Sequence, residues 1–130
     1  MTQRGRSEVI EQVTDENREK RVENALVLFI SMEKADEANA SIIDRAVDEI
    51  GKILDQLKIQ TVVLNPFAHL FGELSSLSYA QDALKTLGEK LAGRGHLVTR
   101  IPFGWFNEIE MRAKGHPLSR IGRRIEQGNA

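Results

Sequence analysis

The 130-residue chain reads as a single α/β domain, a mixed β-sheet with helices packed on it. Three observations predict this. An apolar run at Ala25–Ser31 is followed by an amphipathic helical pattern and a second apolar run, the order of a parallel crossover. The same order then repeats. Finally, two of the strand-like runs, Thr61–Leu64 and Leu97–Ile101, are both closed by Pro-Phe, at Pro66-Phe67 and Pro102-Phe103.

Residues 1–24 are polar and charged, anchored by Val9, Ile10, Val13 and Val22. Val9, Ile10 and Val13 share one helical face, which predicts a helix from about Ser7 to Arg21 as an N-terminal flank. Ala25-Leu-Val-Leu-Phe-Ile-Ser31 is the strongest strand, apolar at successive positions as in a strand covered on both faces. Met32 to Glu37 reads as a polar connection. Ser41 and Asp44 have capping-box spacing, and Ile42, Ile43, Ala46, Val47, Ile50, Ile53, Leu54 and Leu57 recur at three and four, so a helix runs to about Leu57.

Thr61–Leu64 is the second strand. Pro66 ends it, since proline has no N–H for a ladder and holds Asn65 extended. Phe71 to Ser76 is a loop. Ser78 and Gln81 suggest a second capping box for a helix through Leu91, with Leu77, Ala80, Leu84, Leu87 and Leu91 on one face and Gly93-Arg-Gly95 as its stop. Leu97–Ile101 is the third strand, and Trp105 to Met111 alternates as a fourth. Pro102-Phe-Gly104 between these two predicts an antiparallel hairpin. Gly115 to Leu118 is a turn, and Leu118 to Ile125 a short basic closing helix. The expected organisation is a flank at 1–24, an α/β domain at 25–126 and a tail at 127–130.

Composition excludes several chemistries. There is no cysteine, so disulfides, thiolate nucleophiles and cysteine zinc sites are absent. The N-terminus lacks the apolar core of a leader and no run is long enough to span a bilayer, which predicts a cytoplasmic protein with no membrane partner. No glycine-rich phosphate loop, Gly-x-Ser-x-Gly elbow or zincin helix occurs, and His69, His96 and His116 do not have metal-ligand spacing, so neither metal nor cofactor is expected. The formal net charge is −1, yet Arg112, Lys114, Arg120, Arg123 and Arg124 follow one another with no acid between them. Such a block is either a solvated face or a surface for a polyanion.

In α/β sheets ligands collect beyond the carboxyl ends of the strands. Both Pro-Phe corners fall there, which predicts a pocket built from Pro66, Phe67, Ala68, His69, Pro102, Phe103 and Gly104, provided the two strands run parallel. His69 is then either a hydrogen-bonded structural residue or a participant in chemistry.

At these residues the sequence resembles a known family. Ala25 to Lys34, Asn65-Pro-Phe-Ala-His-Leu70, Glu73-Leu74, Gly95, Ile101-Pro-Phe-Gly-Trp105 and Lys114-Gly-His-Pro-Leu118 look like the archaeal threonyl-tRNA synthetase N-terminal editing domain. The resemblance is collinear from about Glu23 to Ile125. It implies a D-aminoacyl-tRNA deacylase-like fold, usually a homodimer, and hydrolysis of the ester joining serine to threonine tRNA. It also implies that main-chain groups and the substrate's 2′-hydroxyl position the water. Carried across, Pro66, Phe67, Ala68 and His69 fall on the pocket wall, and Phe103 and Gly104 on the facing corner. The resemblance departs at Phe106-Asn107, where family members have Tyr-Lys, and at Arg120, where they have glutamate. It departs also at residues 1–24, where the family begins with a strand and hairpin.

Two readings follow. In the first the chain is a trans-acting aminoacyl-tRNA deacylase for translational proofreading, no synthetase catalytic domain following it. His69 and Asn107 are then catalytic; Pro66, Phe67, Ala68, Phe103, Gly104, Phe106 and Arg120 bind substrate; Arg112, Lys114, Arg123 and Arg124 touch tRNA. Its partners are the aminoacylated tRNA end, a second copy and a threonyl-tRNA synthetase acting separately. In the second reading it is a catalytically impaired paralogue that binds a tRNA end, a nucleotide-like ligand or a partner protein.

Overall fold

The computed structural model describes residues 3–4, 21–67, 74–106 and 108–125. The elements are β1 (Gln3–Arg4), β2 (Ala25–Ile30), a 3-10 helix (Lys34–Ala38), α1 (Ile42–Leu57), β3 (Thr61–Pro66), α2 (Leu77–Gly93), β4 (Leu97–Arg100) and β5 (Trp105–Phe106). The α/β expectation holds: β2, β3 and β4 form a three-stranded sheet with β3 in the centre. Its pairings are parallel throughout, with Leu26 opposite Val62 and Val62 opposite Val98. Two right-handed crossovers that advance the same way put both helices on one face of the sheet. Lys90 Nζ to Asp44 at 2.6 Å and Arg94 Nη2 to Asp48 at 2.8 Å bridge the helices on their outer side.

The period-two pattern decides which strand residues meet the helices. Val62 and Leu64, with Leu26, Leu28, Ile30 and Val98 beside them, pack against Val47, Ile50, Leu54, Leu87 and Leu91. A second cluster, Met32, Ala83, Leu84 and Phe103, caps the carboxyl end of the sheet. On the opposite face, Phe29 and Leu97 are exposed. So β2, although apolar at every position, is an edge strand among the described residues, and β3 is the buried one.

Cap residues differ from the sequence spacing. Ahead of α1, Asn39 does the work expected of Ser41: its Oδ1 accepts from the Ser41 N–H at 3.2 Å and the Ser41 hydroxyl at 2.9 Å. α2 begins two residues earlier than Ser78, on Ser76, whose Oγ accepts the Tyr79 N–H at 3.2 Å.

Three expectations are corrected. The antiparallel hairpin of the third and fourth strands does not form: β5 pairs instead with β1, Gln3 opposite Phe106 and Arg4 opposite Trp105. Phe103 is buried in the second cluster and Gly104 adopts φ 88°, so the chain leaves β4 through the core instead of folding back along it. The fourth strand covers only Trp105–Phe106, and 108–111 has no regular structure. The basic closing helix is also absent. A turn ends at Arg120, whose φ of 60° is left-handed and breaks a right-handed helix, and residues 121–125 are irregular. The helix expected over Ser7 to Arg21 lies, except for its last residue, outside the described residues. Among the described residues no helix is long and apolar enough to cross a membrane.

Candidate active site

At the carboxyl end of the sheet β3 and β4 are adjacent and parallel, the condition under which the two Pro-Phe corners share one end. The ladders run one residue beyond the strands. The Phe67 N–H donates to the Ile30 carbonyl at 2.8 Å, and the Ile101 N–H to the Leu64 carbonyl at 2.9 Å. Neither Pro66 nor Pro102 has an N–H to donate, so each corner ends its ladder with a rigid φ.

Between the corners lies a shallow depression lined by Leu64, Pro66, Leu84, Arg100, Ile101 and Phe103. Of the expected pocket residues, Pro66 and Phe103 meet here. The Phe103 ring is 9% exposed and belongs to the core cluster with Leu84, so it supports the depression from beneath. Phe67 is 50% exposed and stacks edge-on against Phe29, centroids 5.9 Å apart, on the face away from the helices. Strand alternation therefore sends Pro66 and Phe67 to opposite sides, and the two Pro-Phe rings do not face each other. Gly104 follows Phe103 at φ 88°, a conformation that favours glycine. Ala68, His69 and Asn107 lie outside the described residues. Phe106 sits on β5, its side chain outside the description.

The basic block is exposed at Arg112, Lys114, Arg120, Arg123 and Arg124, and Arg120 does not line the depression. Its charges are not equivalent. Lys114 Nζ donates to Asn24 Oδ1 at 2.8 Å, and Arg124 Nη2 pairs with Glu33 at 3.1 Å. His116 shapes its turn, Nδ1 accepting the Leu118 N–H at 3.0 Å.

The sequence reading passed over the turn that holds the other side of the corner. Glu33 and Asp36 form a reciprocal capping box on the 3-10 helix, with the Glu33 N–H donating to Asp36 Oδ2 at 2.8 Å. Burial pushes the Asp36 carboxyl up. The Glu33 N–H opposes that rise, the Glu33 charge adds to it, and Arg124 opposes it again. Burial, then the charges of Asp36 and Glu37, raise the Tyr79 phenol likewise. The signal was present as two acids three residues apart, in a stretch read as connection only.

A three-stranded parallel sheet with two helices on one face, its central strand and one neighbour ending at proline corners, defines a small α/β domain. Comparison with known proteins places it more narrowly. The profile of the archaea-specific editing domain of threonyl-tRNA synthetase matches residues 2–125. A threonine–tRNA ligase of Methanosphaera stadtmanae is 40% identical over 123 residues, covering 94% of this chain and 20% of that protein. One of Staphylothermus marinus is 42% identical over 116 residues, covering 88% of this chain and 19% of the relative. One of Thermococcus gammatolerans is 40% identical over the same length, 88% and 18%. This chain belongs to the archaea-specific editing-domain family of threonyl-tRNA synthetase. It spans about a fifth of the length of the curated relatives it matches.

Proposed function

We propose that the domain is an aminoacyl-tRNA deacylase acting in translational proofreading, with L-seryl-tRNA(Thr) as its substrate and action in trans to the synthetase. The observation that carries this reading is the family match over residues 2–125 together with a main-chain corner at the carboxyl ends of parallel strands. Water adds to the ester carbonyl, the bond from that carbon to the ribose oxygen breaks, and the proton passes to the departing ribose hydroxyl. Serine and free tRNA result. Main-chain groups held by Pro66 and Pro102 suit this chemistry, because preorganised dipoles stabilise the developing oxyanion without an ionisable side chain. His69 and Asn107 assist, Ala68, Phe67, Gly104 and Phe106 contact the aminoacyl end, and Arg120 borders it. Arg112, Lys114 and Arg123 meet the tRNA backbone.

A second copy is the proposed partner on the sheet face away from the helices, where Phe29 and Leu97 are exposed. Sedimentation at micromolar concentration reads this directly: a dimer is expected, and a monomer refutes it.

Asn107 and Arg120, at positions where the family resemblance calls for lysine and glutamate, favour a second reading, a paralogue that binds the tRNA end without hydrolysis. One assay separates them. Purified protein is incubated with seryl-tRNA(Thr), threonyl-tRNA(Thr) and a set of D-aminoacyl-tRNAs. Release of serine with threonine spared supports the deacylase, and Asn107→Lys then speeds it. Retention of every amino acid, with tRNA bound, rejects the deacylase in favour of the binding paralogue.

A further inference from the structure

Arg100 breaks the pattern of the surface that carries it. It is the last residue of β4, opposite Leu64 on β3 and two residues beyond Val98, so strand alternation turns it toward α2. The helix-facing strand residues around it, Leu26, Leu28, Ile30, Val62, Leu64 and Val98, are all apolar. An arginine in that company buries its stem along the core and must place its head where polar groups or solvent meet it.

The helix is shaped to that stem. Gly88 is buried in α2, and a Cβ there would stand 3.1 Å from Arg100 Cδ and 3.5 Å from Arg100 Cγ. Glycine inside a helix gives up helical stability, so the notch has a cost that the passage of the arginine explains. Half-buried, the side chain then borders the depression between the proline corners, whose other walls are Leu64, Pro66, Leu84, Ile101 and Phe103. Among the described residues Arg100 is the one charged side chain that lines it.

That wall selects a ligand by its chemistry. A planar fork of N–H donors beside apolar side chains suits an anion with two oxygens to offer, next to a less polar group. An aminoacyl group is the wrong partner, because its α-ammonium is repelled by the guanidinium. The phosphodiester that precedes the terminal ribose has the matching charge, and a shallow surface accepts a backbone laid across it.

We propose that Arg100 is a substrate-binding residue whose guanidinium holds the last phosphodiester of the tRNA, next to the ribose that bears the amino acid. The proposal rests on a tRNA end as ligand, which both readings above share, and not on hydrolysis.

Filter binding at low salt tests it with a tRNA acceptor minihelix and the same RNA carrying a neutral methylphosphonate in its last internucleotide linkage. The unaltered chain is expected to prefer the charged RNA by about tenfold or more, the size of a lost charge-assisted hydrogen bond. Arg100→Gln keeps a stem in the notch without the charge, and is expected to bind both RNAs alike, as the unaltered chain binds the neutral one. Arg100→Lys, a point charge without the fork, is expected to keep part of the preference. Gly88→Ala crowds the stem and is expected to shrink the preference too. No preference in the unaltered chain, or a preference that persists in Arg100→Gln, overturns the proposal. So does an equal loss on both RNAs in Arg100→Gln, which would mark a packing stem with a solvated head. If the unaltered chain releases no serine from seryl-tRNA(Thr), the deacylase reading fails while the preference still decides the phosphate contact.

Discussion

The Cδ of Arg100 lies 3.1 Å from the point where a Cβ on Gly88 would stand, with its Cγ and Leu64 Cδ1 each at 3.5 Å. A glycine in the middle of α2 thus opens the notch through which the Arg100 stem passes from β4 toward the depression beside Pro66. Glycine at a helix interior costs about 1 kcal/mol against alanine. Gly88→Ala alone is expected to be close to neutral by urea unfolding, its helical gain offset by crowding of Arg100. In an Arg100→Ala background the same change is expected to stabilise by about 1 kcal/mol, since the crowding partner is gone. Equal effects in both backgrounds would remove the notch from the account.

Lys58 ends α1 in a left-handed conformation, φ 56° and ψ 41°, and its N–H caps Asp55 and Leu54. A side chain there costs about 1 kcal/mol that glycine does not incur. Lys58→Gly is expected to raise the urea midpoint with the same slope. The residue is exposed and away from the depression, so serine release is expected to stay unchanged.

Asp36 carries a pH dependence whose sign follows from its raised carboxyl. The unfolded chain ionises first as pH rises through the ordinary carboxylate range, while the folded chain still holds its proton. Folded stability from this group is therefore full at low pH and falls as pH climbs to the folded value. Burial and the charge of Glu33 oppose ionisation there, and the Glu33 N–H and Arg124 favour it. Asp36→Asn keeps an acceptor for the Glu33 N–H but does not titrate. The variant is expected to gain on the unaltered chain in urea unfolding as pH rises from about 3 to about 6. A constant difference across that range would refute the assignment.

Much of the frame was legible because it rests on local periodicity. The apolar alternation of β3, the three-and-four spacing of α1 and the stop at Gly93-Arg-Gly95 each need only neighbouring residues. The pairing of Trp105–Phe106 was not legible, since its partner Gln3–Arg4 lies at the other end of the chain and a near hairpin looked simpler. The left-handed Arg120 leaves no trace in composition, so 118–125 read as a helix. At the site, the twin Pro-Phe runs pointed to one end of the sheet, and Pro66 and Phe103 do line one depression. That Phe67 turns to the other face was implied by alternation, but it becomes visible only once the helices are placed. The grip of Glu33 on Leu74 and Arg124 depends on contacts far apart in sequence that no spacing announces.

The basic segment makes the last prediction, because its arginines and lysine do different things. Neutralising a phosphate releases counterions, so tRNA affinity is expected to fall steeply with salt. Arg112→Ala, Lys114→Ala and Arg123→Ala are each expected to weaken binding and flatten the salt slope by about 1. Arg124 already faces the carboxylate of Glu33, so Arg124→Ala is expected to leave that slope unchanged. Filter binding of uncharged tRNA at several salt concentrations measures the slopes independently of any hydrolysis. Identical slopes for all four variants would mean that the segment acts as a diffuse positive field, and a flattened slope for Arg124→Ala alone would place Arg124, and not its neighbours, on a phosphate.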